Sequence, residues 1–274
     1  MNVNPTLYES EILAWHAKME DSLRADDGWL TLAGLYLLQD GVNTVGSDTA
    51  CDIPLPPASA PEHVGDIHFA DGKATLRVAS DGPVLIDEVP VKSAVLRDDA
   101  DAAGPSLVKV GAITFFVIKR GNRYAVRIRD RSSPARQTFT GRRWFAIDPA
   151  YRLTATFTPH VSPRTVQVMN SLGTLAAMTN PGYVECELGG QRLRLEAFDA
   201  GKSELWFIFK DATSGRLTYG AGRYLYAPRH ADDTVTLDFN KAYSPPCAFT
   251  PHATCPLPPK ENVLAIGIEA GEKI

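Results

Sequence analysis

The sequence lacks the features of a secreted, membrane-spanning or nucleic-acid-binding protein. Its 274 residues include only four cysteines, too few for a disulfide scaffold in a chain of this length. No apolar run approaches the roughly 20 residues that span a bilayer, and the first residues show neither the basic nor the apolar region of a secretory signal. The 28 basic and 32 acidic residues give a net charge of -4, a poor balance for binding nucleic acid. We therefore expect a cytoplasmic globular protein that binds neither membranes nor nucleic acids.

The motifs of well-known catalytic sites are also missing. The sequence contains no Gly-x-Ser-x-Gly nucleophile elbow, no His-Glu-x-x-His zinc motif and no phosphate-binding loop. The segment 219–223 (YGAGR) lacks the strand-turn-helix setting of a dinucleotide fingerprint. We therefore expect no cofactor, and the sequence does not distinguish an enzyme from a binding protein.

One strong helical pattern stands at the start of the chain. Five apolar residues recur there at spacings of four, three, four and four: Tyr8, Ile12, Trp15, Met19 and Leu23. This spacing places them on one face of a helix that ends near Arg24. We expect the helix to pack against the rest of the fold and to carry no chemistry of its own.

The remainder of the chain has the texture of a mostly β protein. Short runs of β-forming residues alternate with Asp-Gly and Gly-Asn turns, and the runs 113–119 and 124–129 flank a hairpin turn. In the second arm, the period of two places Arg127 and Arg129 on a basic face opposite a buried one. We predict a helix at 1–24, a β-sandwich at 25–148 and an antiparallel β-barrel-like module at 149–274.

A proline-rich segment, residues 240–262, follows the predicted barrel strands. Its six prolines exclude a central strand, because each removes a backbone donor. Tyr243, Phe249 and Leu257 need a surface to pack against, so we expect an ordered wrap over the barrel mouth. The run 263–268 then predicts a final strand.

Several unusual motifs are spread over nearly the whole sequence: GWLTLAGL (28–35), CDIPLP (51–56), RDRSSPAR (129–136), DPAYR (148–152), DATSG (211–215), TYGAGRYL (218–225) and LDFNKAY (237–243). Through these motifs the chain resembles a bacterial family known as domain of unknown function 1684. The resemblance implies no particular activity.

A second layout runs through residues 34–118: TVGS (44–47), DI (52–53), His63, VLID (84–87) and Gly111. In this layout the stretch resembles a forkhead-associated β-sandwich, a module that reads phosphothreonine through an arginine, a serine and an asparagine. Here the arginine position holds Ser47, and the asparagine position holds Asp87 or Glu88. An acid repels phosphate. The resemblance therefore implies the scaffold, and we do not expect phosphopeptide binding.

The leading functional hypothesis places a small anionic metabolite in the C-terminal module. Arg223 follows a tight turn and can grip a carboxylate or phosphate with two parallel bonds. We expect the other residues of this polar pocket to be Tyr219, Asp238, Asn240 and Tyr243. The same pattern also fits an Arg223–Asp238 pair that braces the barrel without binding a ligand.

Two further hypotheses stay open at this point. Nine Lys or Arg and one acid occupy residues 119–143, so the sandwich and this basic hairpin can serve as a protein-interaction scaffold. Cys247, His252 and Cys255 offer three soft metal ligands within nine residues, but no fourth lies nearby. Packing of small apolar cysteines or a disulfide explains the same residues.

Overall fold

The structure, a computed structural model, describes residues 5–79, 83–171, 173–201 and 203–274. The chain divides into two compact units: residues Leu23–Phe139, and residues Met1–Ser22 together with Thr140–Ile274. The mostly β fold class with an N-terminal helix is confirmed. No helix in the described ranges is both long enough and apolar enough to cross a membrane.

The unit of residues 23–139 is a β-sandwich. Its strands are β1 (Leu32–Leu37), β2 (Gly41–Gly46), β3 (Ile53–Pro54), β4 (Gly65–Ala70), β5 (Lys73–Val78), β6 (Leu85–Ile86), β7 (Val89–Pro90), β8 (Ser93–Leu96), β9 (Val108–Val110), β10 (Ile113–Arg120) and β11 (Arg123–Asp130), followed by the helix α2 (Pro134–Thr138). They form two sheets, in the orders β1-β11-β10-β9-β6-β7 and β3-β2-β4-β5-β8. Val45 and Ile67 of one sheet share a buried core with Phe115 and Val126 of the other. The predicted hairpin is present, because Arg120 pairs with Arg123 across a two-residue turn.

The expected basic face of β11 is not a free surface. Arg127 is only 5% exposed, and its guanidinium lies over the ring of Trp29. Arg129 lies over the ring of Phe116 in the same way. The period of two predicted the face of the arginines but not their burial, because aromatic side chains cover that face.

The positions that resemble a phosphothreonine site are engaged within the sandwich. The hydroxyl of Ser47 donates to the carbonyl of Ala60 at 2.8 Å. Asp87 begins the turn between β6 and β7, and its carboxylate accepts a hydrogen bond from Arg97 at 2.8 Å. This bond and one from the Leu107 amide lower the pKa of Asp87, with the amide as the larger cause.

The second unit combines an N-terminal helix with a nearly closed barrel. Its elements are α1 (Pro5–Arg24, which extends past the unit boundary at Ser22), β12 (Arg143–Trp144), β13 (Arg152–Met169), β14 (Leu175–Leu188), β15 (Gln191–Asp199), β16 (Glu204–Phe209), β17 (Arg223–Pro228), β18 (Thr234–Asp238) and β19 (Glu272–Lys273). Six of these strands form one sheet in the order β17-β16-β15-β14-β13-β18. The two end strands follow each other in the chain, and Arg229 bridges Val235 between them. The sheet therefore almost closes on itself.

The barrel wall has a buried layer on each side. Inward side chains such as Phe157, Leu195, Phe207 and Leu225 fill the lumen, as expected for a small barrel. A second cluster contains the alternate residues Phe198, Ile208 and Tyr224, which face outward, together with Ala253 and Cys255 of the proline-rich segment. The proline-rich segment is thus ordered, but it packs on the outer wall rather than over the mouth.

The end of the chain differs from the sequence-based prediction. Residues 263–268 do not form a strand; Val263 makes a single bridge to Lys210. Instead, Leu264 and Ile268 insert into the lumen core. The final strand is β19, which pairs with β12 through Arg143 and Lys273.

Candidate functional site

Arg223 lies in the barrel interior and is fully buried. Its guanidinium bonds the carboxylate of Asp211 at 2.7 Å and the carbonyl of Ile268 at 2.9 Å, and it also contacts the Ala270 carbonyl. Asp211 in turn accepts the amide of Thr213 at 2.7 Å. Arg223 therefore fastens the C-terminal residues to the barrel, and its acid partner is Asp211 rather than Asp238.

Asp238 belongs to a different network, next to α1. Its Oδ1 accepts the hydroxyl of Tyr8 at 2.8 Å and the backbone amide of Asn240 at 3.2 Å. The Asn240 side chain donates to the Tyr8 hydroxyl at 2.9 Å and exchanges hydrogen bonds with the backbone of Asp148. Burial, followed by the charge of Asp238, raises the pKa of Tyr8 far above its ordinary value. Asn240 and Tyr8 are therefore internal braces that hold Asp238 in place.

The period of two along the strands explains why Arg223 and Asp238, the two charged residues of the predicted pocket, do not meet. Arg223 shares its face of β17 with Leu225, which points into the lumen. Asp238 shares its face of β18 with Thr236, on the outer side of the same wall. Tyr219 lies elsewhere again, with its hydroxyl donating to the Cys247 carbonyl at 2.8 Å. Asp238 and Tyr243 of the predicted set line one cavity, and Asn240 hydrogen-bonds Asp238.

That cavity lies between α1 and the outer barrel wall and has a volume of about 490 Å³. Six of its lining residues define its chemistry: Glu11, Trp15, Arg152, Asp238, Lys241 and Tyr243. A second opening of about 540 Å³ adjoins it and shares Arg152, His230 and Thr236 with it. The volume falls within the range of roughly 300–1,000 Å³ that is usual for small-molecule sites.

The cations of the cavity converge on one acid. The Glu11 carboxylate bonds Lys241 at 2.5 Å and lies 3.5 Å from Arg152. The bond from Lys241 is the main cause that lowers the pKa of Glu11, with Arg152 as a weaker one. Glu11 is half exposed, so its carboxylate occupies an accessible place between two cations.

A buried acid stands in the same cavity. Asp238 is 5% exposed, and its Oδ2 has no hydrogen-bond partner among the residues that the structure describes. An unpaired buried carboxylate oxygen is costly, because it has lost water without gaining a donor. Asp238 therefore supplies the cavity wall with an acceptor that lacks a donor among the described residues.

Aromatic rings form another part of the cavity wall. Trp15 meets Tyr243 edge-to-face at 6.2 Å, and Tyr226 stacks on Tyr243 at 6.5 Å. Burial raises the pKa of Tyr243 well above its ordinary value and also raises that of Tyr226. Both phenols are therefore neutral and able to donate a hydrogen bond at physiological pH.

The predicted metal ligands come together only in part. The Cys247 amide donates to the Cys255 sulfur at 3.2 Å. His252 lies on the same segment, where its backbone amide donates to Thr250 at 3.2 Å. Within the described ranges, no three His, Cys, Asp or Glu side chains gather as a metal site would require.

Several cavity residues were not predicted as site residues from the sequence. Glu11 and Trp15 are on a helix that was expected to serve packing alone, while Arg152 and Lys241 flank predicted elements. Arg152 carries a usable signal, because it alternates with the lumen-facing Leu153 and Ala155 and must therefore point outward. No local pattern links a residue on α1 to one more than two hundred positions away.

The fold and the cavity together define a β-barrel protein with a polar cavity on its outer wall. The family described as "Protein of unknown function (DUF1684)" matches residues 137–273, half of the chain. The chain belongs to this family. A comparison with curated proteins found no match.

Solved structures give two kinds of match. An uncharacterized protein of Haloarcula marismortui, determined by solution NMR, is 34% identical; the match covers 51% of this chain and 79% of that one, with a TM-score of 0.43. A phosphothreonine-dependent forkhead-associated domain is 17% identical over 35% of this chain and 92% of that one, with a TM-score of 0.25. Mycobacterium tuberculosis EmbR, solved with a low-affinity phosphopeptide, is 13% identical over 46% of this chain and 32% of that one, with a TM-score of 0.24.

Proposed function

We propose that this protein binds a small metabolite with an acidic group in the cavity between α1 and the barrel wall. One observation carries the proposal: a cavity of about 490 Å³ combines two cations with a buried carboxylate, one oxygen of which has no hydrogen-bond partner in the described part of the chain. The proposed ligand is anionic, as in the hypothesis from the sequence. Its cationic partners become Arg152 and Lys241 in place of the buried Arg223.

The acidic end of the ligand would compete with Glu11. Lys241 and Arg152 already hold a carboxylate, that of Glu11, so their placement suits a second acid of similar size. A ligand's carboxylate or phosphate that takes this place displaces Glu11 toward solvent. The displaced side chain is on the exposed side of α1, so its release leaves no buried charge behind.

The other end of the ligand would meet Asp238. The Oδ2 atom of Asp238 has no donor among the described residues and could accept a hydrogen bond from a ligand that reaches it. The rings of Trp15, Tyr226 and Tyr243 favour a cation nearby. A molecule with an acid at one end and an ammonium or hydroxyl group at the other satisfies both. Amino acids, hydroxy acids and amino-sugar phosphates are ligands of this class.

The interaction-scaffold alternative stays a prediction, with less to support it than the cavity. Arg120 and Arg136 of the basic stretch pair with Asp99 and Asp26, and Arg127 is buried. We also propose a cytoplasmic location, where the four cysteines would remain mostly reduced.

A thermal-shift panel of amino acids, hydroxy acids, dicarboxylates and sugar phosphates tests the proposal. A ligand at a hundredfold its Kd adds about 2.7 kcal/mol of stability, which for a unit of this size raises Tm by about 5 to 10 °C. Native mass spectrometry of freshly purified protein adds a second test, since a retained ligand adds mass that denaturation removes. If no compound stabilises the wild-type protein and its native mass is that of the polypeptide, the proposal is wrong.

Variants then assign the binding to this cavity. Lys241→Met removes one charge-assisted bond and should weaken binding roughly 10- to 150-fold, from a loss of about 1.5–3 kcal/mol. Lys260→Met, at an exposed lysine outside the cavity, is the matched control. Glu11→Gln should strengthen binding because it removes the competing acid, whereas Glu9→Gln on the same helix should not. Equal affinities in the Lys241 and Lys260 variants would place the ligand elsewhere.

A further inference from the structure

The two cysteines of the proline-rich segment form a contact that the ligand cavity does not use. The backbone amide of Cys247 donates to the sulfur of Cys255 at 3.2 Å, so the two residues are in direct contact. Cys255 is buried, while Cys247 is only half-buried. Cys247 is therefore the more exposed residue of the pair, and its backbone touches the sulfur of the more buried one.

The surrounding residues hold both cysteines at fixed positions. Tyr219 donates its hydroxyl to the Cys247 carbonyl at 2.8 Å. Ser171 hydrogen-bonds the backbone of Cys255 on both sides, through its own amide at 2.8 Å and its hydroxyl at 3.2 Å. The Tyr224 hydroxyl bonds the next carbonyl, that of Pro256, at 2.8 Å. Such anchoring keeps the two sulfurs together and lowers the entropic cost of joining them.

We propose that Cys247 and Cys255 are a redox-active dithiol that reacts with low-molecular-weight disulfides. Cys247 is the attacking thiol and Cys255 the resolving one. Oxidation closes a ring through residues 247–255 on the outer barrel wall. Cytosolic disulfides of this kind are generally transient and serve redox sensing or catalysis.

The reaction balances as two thiol–disulfide exchanges. The Cys247 thiolate attacks one sulfur of oxidised glutathione, forms a mixed disulfide and releases one glutathione thiolate. The Cys255 thiol, after loss of its proton, attacks the Cys247 sulfur and releases the second glutathione. Two protein thiols are oxidised and one small disulfide is reduced, while the two protons pass to the released thiolates.

The electrostatics support the order of the two steps. The neighbouring Cys255 side chain is the largest cause that lowers the pKa of Cys247, although burial opposes it. The Cys247 side chain, followed by burial, raises the pKa of Cys255. Cys247, the more exposed residue of the two, therefore has the larger fraction of thiolate, which is the reactive form.

The test uses the full chain with Cys51→Ser and Cys186→Ala, so that only the pair remains. The protein is equilibrated in mixtures of reduced and oxidised glutathione, alkylated with iodoacetamide and analysed by intact mass and peptide mapping. We expect both thiols to disappear together, with the peptides of Cys247 and Cys255 joined. Retention of both thiols in oxidised glutathione, or separate mixed disulfides on each, would refute the proposal.

Single variants separate the two roles. Cys255→Ala should stop at a stable mixed disulfide on Cys247, and the pH midpoint for alkylation of Cys247 should rise. Cys247→Ser should leave Cys255 largely unreacted, because it is buried. Rapid glutathione addition to Cys255 in that variant would overturn the assignment. Peptide mapping of the wild-type chain decides the question even if a variant does not fold.

Discussion

Replacement of Arg223 distinguishes a structural arginine from a ligand-binding one. In the structure its guanidinium is fully buried and bonds Asp211, as well as the carbonyls of Ile268 and Ala270. Arg223→Leu removes these bonds and leaves the Asp211 carboxylate without its cation. Arg223 should therefore matter for the stability of the barrel and have no direct effect on ligand affinity.

The size of the effect follows from burial. Removal of one partner from a buried ion pair costs about 3–5 kcal/mol, because the remaining charge is uncompensated. For a unit of this size that loss lowers Tm by about 6 to 20 °C. Arg192→Leu is the matched control: Arg192 pairs with Glu185 at 3.1 Å, but its side chain is 78% exposed. Exposed pairs contribute about 0–1 kcal/mol.

Tryptophan fluorescence during thermal unfolding is a suitable assay. Trp15, Trp144 and Trp206 belong to the barrel unit and only Trp29 to the sandwich, so the signal reports mainly on the unit that carries Arg223. The double variant Arg223→Met with Asp211→Asn should be less destabilised than Arg223→Leu, since no unpaired charge remains and the Asn oxygen still accepts the Thr213 amide. If Arg223→Leu unfolds at the same temperature as Arg192→Leu, the structural assignment is wrong. A loss of ligand binding with unchanged Tm would restore the role expected from the sequence.

Three further predictions follow from the barrel unit. Tyr8→Phe leaves Asp238 with one donor fewer and should lower the free energy of unfolding in urea by about 1–3 kcal/mol. An unchanged urea midpoint would contradict the stabilising role of Tyr8. Burial lowers the pKa of His16 below 6.5, so the unfolded chain binds more protons and stability should fall as pH drops below about 6.5. His16→Gln should flatten that pH dependence, and an equal slope in both proteins would refute it. Gly182→Ala places a Cβ 2.3 Å from a backbone oxygen and should cost about 1–3 kcal/mol or more, whereas Gly220→Ala meets only ordinary contacts; equal melting temperatures would contradict this.

Local patterns predicted the elements of the fold well where one face of an element is buried. The helix α1 follows from its apolar spacing, and Tyr8, Ile12 and Leu23 on that face are indeed buried. The two-residue hairpin turn after Arg120 follows from Gly-Asn. The prediction of a strand at residues 263–268 was wrong. Leu264 and Ile268 of this run are buried in the barrel lumen, but its backbone forms no strand of the sheet. Hydrophobicity alone does not separate these two ways of burying a residue.

The candidate site was harder to predict because it depends on which side of the wall each residue faces. Arg223 and Asp238 are fifteen positions apart on successive strands, which suggested a contact. The period of two along the strands turns Arg223 inward and Asp238 outward. Which residues of a strand face the lumen cannot be read from the sequence until the lumen residues are known. The partner that makes Asp238 a cavity residue, the helix α1, lies at the other end of the chain.

The filled lumen decides where a ligand can bind in this barrel unit. Phe157, Phe207, Phe209 and Leu237 occupy the interior, so a small molecule would have to displace well-packed side chains to enter it. The outward residues of β13 and β18, by contrast, are polar: Arg152 and Thr154 on one strand, Thr234 and Thr236 on the other. The helix α1 covers part of this polar face and brings Glu11 and Trp15 to it. Binding specificity should therefore reside in the helix and the outer wall together, and changes in the helix should alter ligand choice without disturbing the barrel core.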